Sequence, residues 1–198
     1  MFETIVLASG NKDKIKELRA TLKPLGVTLK STYDFPELEE VVEDRPTLEG
    51  NALKKAEYVH HETGLPTLSD DTGLEVDALN GAPGVYSARY AGESVTYQDN
   101  NDKLLDELSE VPTQDRKAQF RTVAAFVTDK GQYAFEGICR GEILKEERGE
   151  QGFGYDPVFK PEGYELTFAE LGADEKNKIS HRGKAIQKFY NWLKKHPS

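Results

Sequence analysis

Apolar positions along the chain change their spacing several times, and each change marks an element. Glu3 to Ala8 (ETIVLA) is short, β-branched and almost wholly apolar, which predicts a strand buried on both faces of a sheet. The run breaks at Ser9-Gly10-Asn11. From Lys12 onward Ile15, Leu18 and Leu22 recur at helical spacing, an amphipathic helix that Pro24 stops. Val27 to Ser31 predicts a second strand, and the acidic Pro36 to Asp44 stretch a surface connection. Thr47 opens a second helix with Leu48, Ala52, Ala56 and Val59 on one side, closed by Gly64-Leu65-Pro66. Pro66 to Ser69 is a short strand that delivers Asp70-Asp71-Thr72-Gly73 at its C-terminal end. The Gly-rich segment from Leu79 to Gly92 reads as an ordered loop, because turn residues alternate there with Val85, Tyr86 and Tyr90.

Thr96 to Leu108 predicts a helix with Leu104, Leu105 and Leu108 inward. Lys117 to Thr128 and Gln132 to Leu144, rich in Phe, Val, Tyr and Ile and separated by Asp129-Lys130-Gly131, predict an antiparallel hairpin. Ser180 is an N-cap for a last helix carrying Ala185, Ile186, Phe189 and Leu193. Parallel strands at the front and a hairpin behind imply an α/β fold with a mixed sheet.

Composition narrows what such a fold can do. At 198 residues the chain is one domain, at the usual ~150 residues each, and large enough to hold a core without staples. A net charge of -9 argues against a broad nucleic-acid surface, and no apolar run is long enough for a membrane span. Cys139 is the only cysteine, which excludes an internal disulfide and favours a reducing compartment. Met1-Phe2-Glu3-Thr4 shows no signal-peptide pattern, so the cytoplasm is the default expectation.

Chemistry-bearing residues gather at element ends. Where the first strand opens into the first helix, Ser9, Gly10, Asn11, Lys12, Asp13 and Lys14 bring free backbone N-H groups, hydroxyl and amide donors and an ammonium to one spot, an anion site; Ser9 and Asn11 as plain helix caps with solvated lysines is the equal alternative. Asp70 and Asp71 are neighbours in an extended segment and point to opposite faces, so only one can face a site; a Mg²⁺ carboxylate and a self-capped Asx turn are both open. Phe153-Gly154-Tyr155-Asp156-Pro157 offers rings to stack on a planar base and a carboxylate to accept from its edge, or simply core aromatics. Lys176 to Arg182 is a donor run, or a solvated basic one. Neither G-x-x-x-x-G-K-[ST] nor G-x-G-x-x-G occurs.

In this order, across nearly the whole chain, Ser9-Gly10-Asn11-x-x-Lys14, Leu68-Ser69-Asp70-Asp71-Thr72-Gly73-Leu74, Gly81-Ala82-Pro83-Gly84-Val85-Tyr86-Ser87-Ala88-Arg89-Tyr90, Phe153 to Pro157 and Ser180-His181-Arg182-Gly183 resemble the inosine triphosphate pyrophosphatase family, hydrolases of non-standard purine nucleoside triphosphates. The resemblance implies an elongated mixed sheet flanked by helices, in two lobes with a central active-site cleft, assembled as a homodimer. It implies that Ser9 to Lys14 hold the triphosphate, that Asp71 binds Mg²⁺ and is the catalytic base, and that Thr72 contacts substrate. It also implies that Phe153, Gly154, Tyr155, Asp156, Lys176, His181 and Arg182 form the base pocket. Two positions depart from the family. Thr72 replaces the usual serine and keeps its hydroxyl. Gly50 stands where a glutamate is usual, so Glu49, one position earlier and about 100° round the helix, is the candidate second metal carboxylate.

Overall fold

The computed structural model describes residues 2–196; Met1, Pro197 and Ser198, which complete the expected 1–198 domain, lie outside them. Among the described residues the α-helices and strands follow one another as β1 (Thr4–Leu7), α1 (Lys12–Leu22), β2 (Thr28–Ser31), α2 (Leu48–Thr63), β3 (Thr67–Val76), α3 (Tyr97–Glu107), β4 (Lys117–Thr128), β5 (Gly131–Ile143), β6 (Phe159–Pro161), α4 (Ala173–Ile179) and α5 (His181–Lys195). The strands hydrogen-bond in the order β2-β1-β3-β4-β5-β6. β1 is parallel to β2, with Thr4 opposite Thr28, and to β3, with Val6 opposite Thr67, whereas β5 and β6 are antiparallel. The mixed α/β sheet expected from the sequence is therefore present.

The chain divides into two compact units. The first comprises Met1–Asp71, Thr122–Gly137 and Arg182–Ser198. Its core follows from the period-two alternation of its strands. Ile5 and Leu7 of β1, Leu68 of β3, and Ala124 and Phe126 of β4 pack with Ile15, Leu18 and Leu22 of α1 and Ala185, Ile186 and Phe189 of α5. The intervening residues turn the other way: Ala125 and Val127 meet Ala52 and Ala56 of α2, and Val6 and Ala8 meet Val59 of α2. Helices thus cover both faces, which is why ETIVLA carries no polar alternation. Each large side chain buried here contributes about 1.5–3 kcal/mol. Thr47 caps α2 by accepting from the Gly50 N–H at 3.0 Å, and Gly64 (φ +66°) ends it in the left-handed conformation.

The second unit comprises Thr72–Arg121 and Ile138–His181. Leu74 and Val76 of β3, Leu104 and Leu108 of α3 and its end, Phe120, Cys139, Tyr155, Phe159 and Phe168 form its core. Arg116 is buried at its edge, donating to the carbonyls of Leu108, Ile143 and Leu144 at 2.6–2.9 Å and so tying the end of α3 to the end of β5. Gly73 is obligatory, since a Cβ there would lie 2.6 Å from the Gly84 carbonyl oxygen.

Two expectations change. β3 does not stop at Ser69 but runs on to Val76, so Asp70 and Asp71 lie inside a strand and no Asx turn forms. The donor run ahead of the last helix is itself partly helical: Lys176 to Lys178 belong to α4, a short helix whose C-cap is Ser180, immediately before α5. Of that basic run Lys176, His181 and Arg182 are buried, so the solvated alternative fails for them, while Lys178 is exposed.

Candidate active site

In the first unit the alternation along β3 decides which carboxylate goes where. Asp70 shares the Leu68 face and meets α1 and α5; Asp71 shares the Ser69 face and meets α2. Lys14 of α1 brings its Nζ to 3.4 Å from Asp70 Oδ2, and Arg182 of α5 donates from Nε to the same oxygen at 3.1 Å. Arg182 Nη1 also donates to Glu17 Oε2 at 2.5 Å. Burial alone would raise the Asp70 carboxyl, but Lys14, Arg182 and Lys55 outweigh it and hold it far below the usual carboxylate range. Burial likewise opposes the charge on Arg182, and Asp70 and Glu17 restore it.

Asp71 has the opposite balance. Burial pushes its carboxyl up; Lys55 and Lys14 pull it down, Glu43 and Asp70 push it up again, and the net direction is upward. Its Oδ1 lies 3.5 Å from Lys55 Nζ, while its buried Oδ2 has no hydrogen-bond partner among the described residues. Lys55 also reaches Glu43 Oε1 at 2.5 Å and the Asp70 carbonyl at 2.9 Å. Burial disfavours this ammonium, yet Asp71, Glu43 and Asp70 raise its pKa above the ordinary lysine value. Glu43, Lys55 and Asp71 thus form a line of alternating charge from the acidic connection through α2 to β3.

The Ser9-Gly10-Asn11 turn stands at the head of α1. Asn11 is the N-cap, its Oδ1 accepting from Asp13 N at 2.9 Å and Lys14 N at 3.1 Å, and Asn11 N donates to Ser9 Oγ at 3.2 Å. The cap exists, then, alongside a turn whose neighbouring Lys14 ammonium reaches the Asp70 carboxylate. A Cβ at Gly10 would meet nothing within 4 Å, so the turn is open to a ligand. Lys12 and Asp13 are exposed. Glu49 is exposed in the first turn of α2. A side chain at Gly50 would be crowded, with Arg45 Cβ 3.0 Å and Thr47 Oγ1 3.1 Å from its Cβ.

In the second unit Asp156 Oδ2 accepts from Lys176 Nζ at 2.6 Å and from Phe153 N at 2.8 Å. The Lys176 ammonium lies 5.0 Å from the Phe153 ring centroid, and the Tyr97 ring 5.9 Å from it. Asn101 Nδ2 donates to the Gly154 carbonyl at 3.2 Å. Gly152 (φ +79°) admits the Asp156 carboxylate, which a Cβ would strike at 2.0 Å. Phe153, Gly154, Asp156 and Lys176 are therefore brought together as a ring, a cation and a carboxylate. Tyr155 turns inward: its hydroxyl donates to the Ser87 carbonyl at 2.8 Å, and burial pushes the phenol up. His181 lies flat on Phe120, centroids 4.5 Å apart, and Thr72 is half-buried in β3.

The sequence reading did not single out Glu43, Lys55 or Glu17. Lys55 left a trace, as a cation between Ala52 and Ala56 on the apolar side of α2. Glu43, one acid among many in a stretch without regular structure, left none.

A model of the Ham1 family matches residues 5–192. The dITP/XTP pyrophosphatase of Flavobacterium johnsoniae is 49% identical over 189 residues, covering 96% of this chain and 97% of that protein. The dITP/XTP pyrophosphatase of Desulforamulus reducens is 52% identical over 185 residues, covering 93% of this chain and 92% of that protein. Among solved structures, a HAM1 protein from Coxiella burnetii superimposes with a TM-score of 0.89 at 39% identity, covering 99% of this chain and 100% of that one. The dITP/XTP pyrophosphatase from Mycobacterium abscessus gives a TM-score of 0.77 at 44% identity, covering 94% and 98%.

Proposed function

The chain belongs to the Ham1 family, and we propose on that premise that it hydrolyses the triphosphates of inosine, deoxyinosine and xanthosine at the α-phosphorus, releasing pyrophosphate and the monophosphate. The observation that carries this reading is the split between two adjacent carboxylates. Asp70 is locked in its charged form by Lys14 and Arg182, while burial raises Asp71, which keeps one oxygen unpartnered. Neighbouring titratable groups driven apart in this way divide the work between a fixed charge and a proton acceptor.

The water oxygen forms the new bond to the α-phosphorus as the bond to the bridging oxygen breaks, pyrophosphate leaves, and Asp71 Oδ2 takes the water's proton. Lys55 holds Asp71 in place from its other oxygen. The Gly10 N–H of the Ser9 to Asn11 turn and the Lys14 ammonium bind the phosphates, so that little charge must be reorganised as the reaction proceeds. On the base, Phe153 supplies a stacking face and the Asp156–Lys176 pair a fixed polar edge. A required hydrogen bond to the purine 6-keto oxygen rejects a 6-amino base by roughly 10⁴ or more, because the unmatched donor is left buried and unpaired. His181 and Arg182 are assigned to this side of the substrate by the family resemblance; the ion pairs of Arg182 run to Asp70 and Glu17.

The donor set suits Mg²⁺. Among the described residues no three His, Cys, Asp or Glu side chains converge to hold an ion alone, and Mg²⁺ characteristically takes one or two carboxylates together with substrate phosphates. Asp71, with its open Oδ2, and Glu43, linked to it through Lys55, are the carboxylates that would hold the ion, which supplies charge neutralisation to the phosphates. Glu49 is the further candidate. Activity titrated against Mg²⁺ separates them: Glu43→Gln is expected to shift the half-saturating Mg²⁺ concentration upward several-fold, and the same shift in Glu49→Gln alone would move the assignment to that residue.

We further propose, on the family resemblance, that the chain works in the cytoplasm as a homodimer that clears these nucleotides. The deciding assay incubates the purified protein with Mg²⁺ and each triphosphate. The inosine, deoxyinosine and xanthosine compounds yield monophosphate and pyrophosphate, and adenosine triphosphate reacts far more slowly. Orthophosphate as the product, or equal rates on adenosine triphosphate, defeats the proposal.

A further inference from the structure

The Ser9 to Asn11 turn is held from behind by a second turn that the reaction does not use. Thr32–Asp34 is one turn of 3-10 helix directly after β2, closed by a capping box in which Asp34 Oδ2 accepts from Ser31 N at 2.7 Å and Ser31 Oγ at 3.1 Å. From this closed turn Thr32 Oγ1 donates to the Ser9 carbonyl at 2.8 Å and the Tyr33 hydroxyl donates to the Gly10 carbonyl at 2.7 Å. Two consecutive carbonyls, 23 residues upstream, are thus fixed by two consecutive hydroxyls. The Lys12 ammonium lies 6.0 Å from the centroid of the same Tyr33 ring.

In a trans peptide the C=O and the next N–H point in opposite directions. Anchoring the Ser9 carbonyl on Thr32 therefore aims the Gly10 N–H away from Thr32, and anchoring the Gly10 carbonyl on Tyr33 aims the Asn11 N–H toward Ser9 Oγ, which it meets at 3.2 Å. The Gly10 N–H has no protein partner among the described residues. Without these anchors Gly10, free of a Cβ, could rotate either peptide and present a carbonyl oxygen to an anion. Tyr33 is also 57% exposed, so hydrophobic burial does not explain its place.

We propose that Thr32 and Tyr33 are positioning residues for phosphate binding: their hydroxyls hold the Ser9 and Gly10 carbonyls so that the turn offers the Gly10 N–H to the triphosphate. The inference rests on the proposed function, because it names what orients the phosphate-binding turn of that same site.

The test uses the full chain as Tyr33→Phe, Thr32→Val, the double variant and Thr32→Ser, with inosine triphosphate as substrate and inorganic tripolyphosphate as a base-free probe. Each single variant is expected to raise both KM and the tripolyphosphate Kd about fivefold, the scale of one lost hydrogen bond, with kcat within about twofold of wild type. Thr32→Ser, which keeps the hydroxyl, restores both constants. Urea denaturation accompanies each, and if Thr32→Val alone proves unstable, Tyr33→Phe, an exposed one-atom change, carries the test. An unchanged Kd in the double variant overturns the inference, as does a fall in kcat with Kd constant. Wild-type protein that neither cleaves inosine triphosphate nor binds tripolyphosphate overturns the proposed function and this inference together; active wild type with insensitive variants overturns the inference alone.

Discussion

Asp71→Asn is expected to lower turnover of inosine triphosphate by at least ~10², the scale of losing a general base, while the protein remains folded. The amide keeps the shape of the side chain and can still accept from Lys55 through its carbonyl oxygen. What it loses is the capacity of Oδ2, buried and without a hydrogen-bond partner among the described residues, to take a proton. Burial is what makes the native group effective, since a carboxylate raised from its ordinary value is a stronger base than one in water. Measured with saturating Mg²⁺ and with circular dichroism to verify the fold, a drop of less than about tenfold would remove Asp71 from the proton-transfer role.

The sequence disclosed the scaffold better than the charge network built on it. ETIVLA announced a strand covered on both faces because Ile5 and Leu7 serve one helical layer while Val6 and Ala8 serve the other. Ile15, Leu18 and Leu22 announced α1 because tertiary packing uses the same stripe that the spacing reveals. At Asp70 and Asp71 local chemistry misled: two acids followed by Thr-Gly have the composition of a turn. The strand continues through them because Lys14, Arg182 and Lys55 compensate buried charge from positions 15 to 112 residues away in the chain. That compensation has no local signature. The same holds for α4, seven residues long with four of them charged, whose Lys176 is anchored by Asp156 of a distant loop. Opposite orientation of the two aspartates was legible, because period-two alternation needs only an extended backbone.

The second large effect concerns stability. Asp70→Asn leaves Arg182 and Lys14 facing a neutral amide where the native carboxylate is fully buried. Breaking a buried pair from one side costs about 3–5 kcal/mol, and the lower end applies here because Glu17 continues to face Arg182. A loss of about 3 kcal/mol near neutral pH, seen as a lower urea midpoint with unchanged slope, is the expected result. Its pH dependence identifies the cause. The folded-state pKa of Asp70 is depressed relative to the unfolded value of about 4, so its contribution is complete above that value and is lost as pH falls toward the folded-state pKa. The gap in stability between wild type and Asp70→Asn should therefore be constant from pH 7 down to about 5 and narrow below about 4, as the wild-type carboxylate begins to bind in the unfolded chain the proton it refuses in the folded one. A gap that stays constant to pH 3 would mean that the lost stability came from packing of the side chain rather than from its charge.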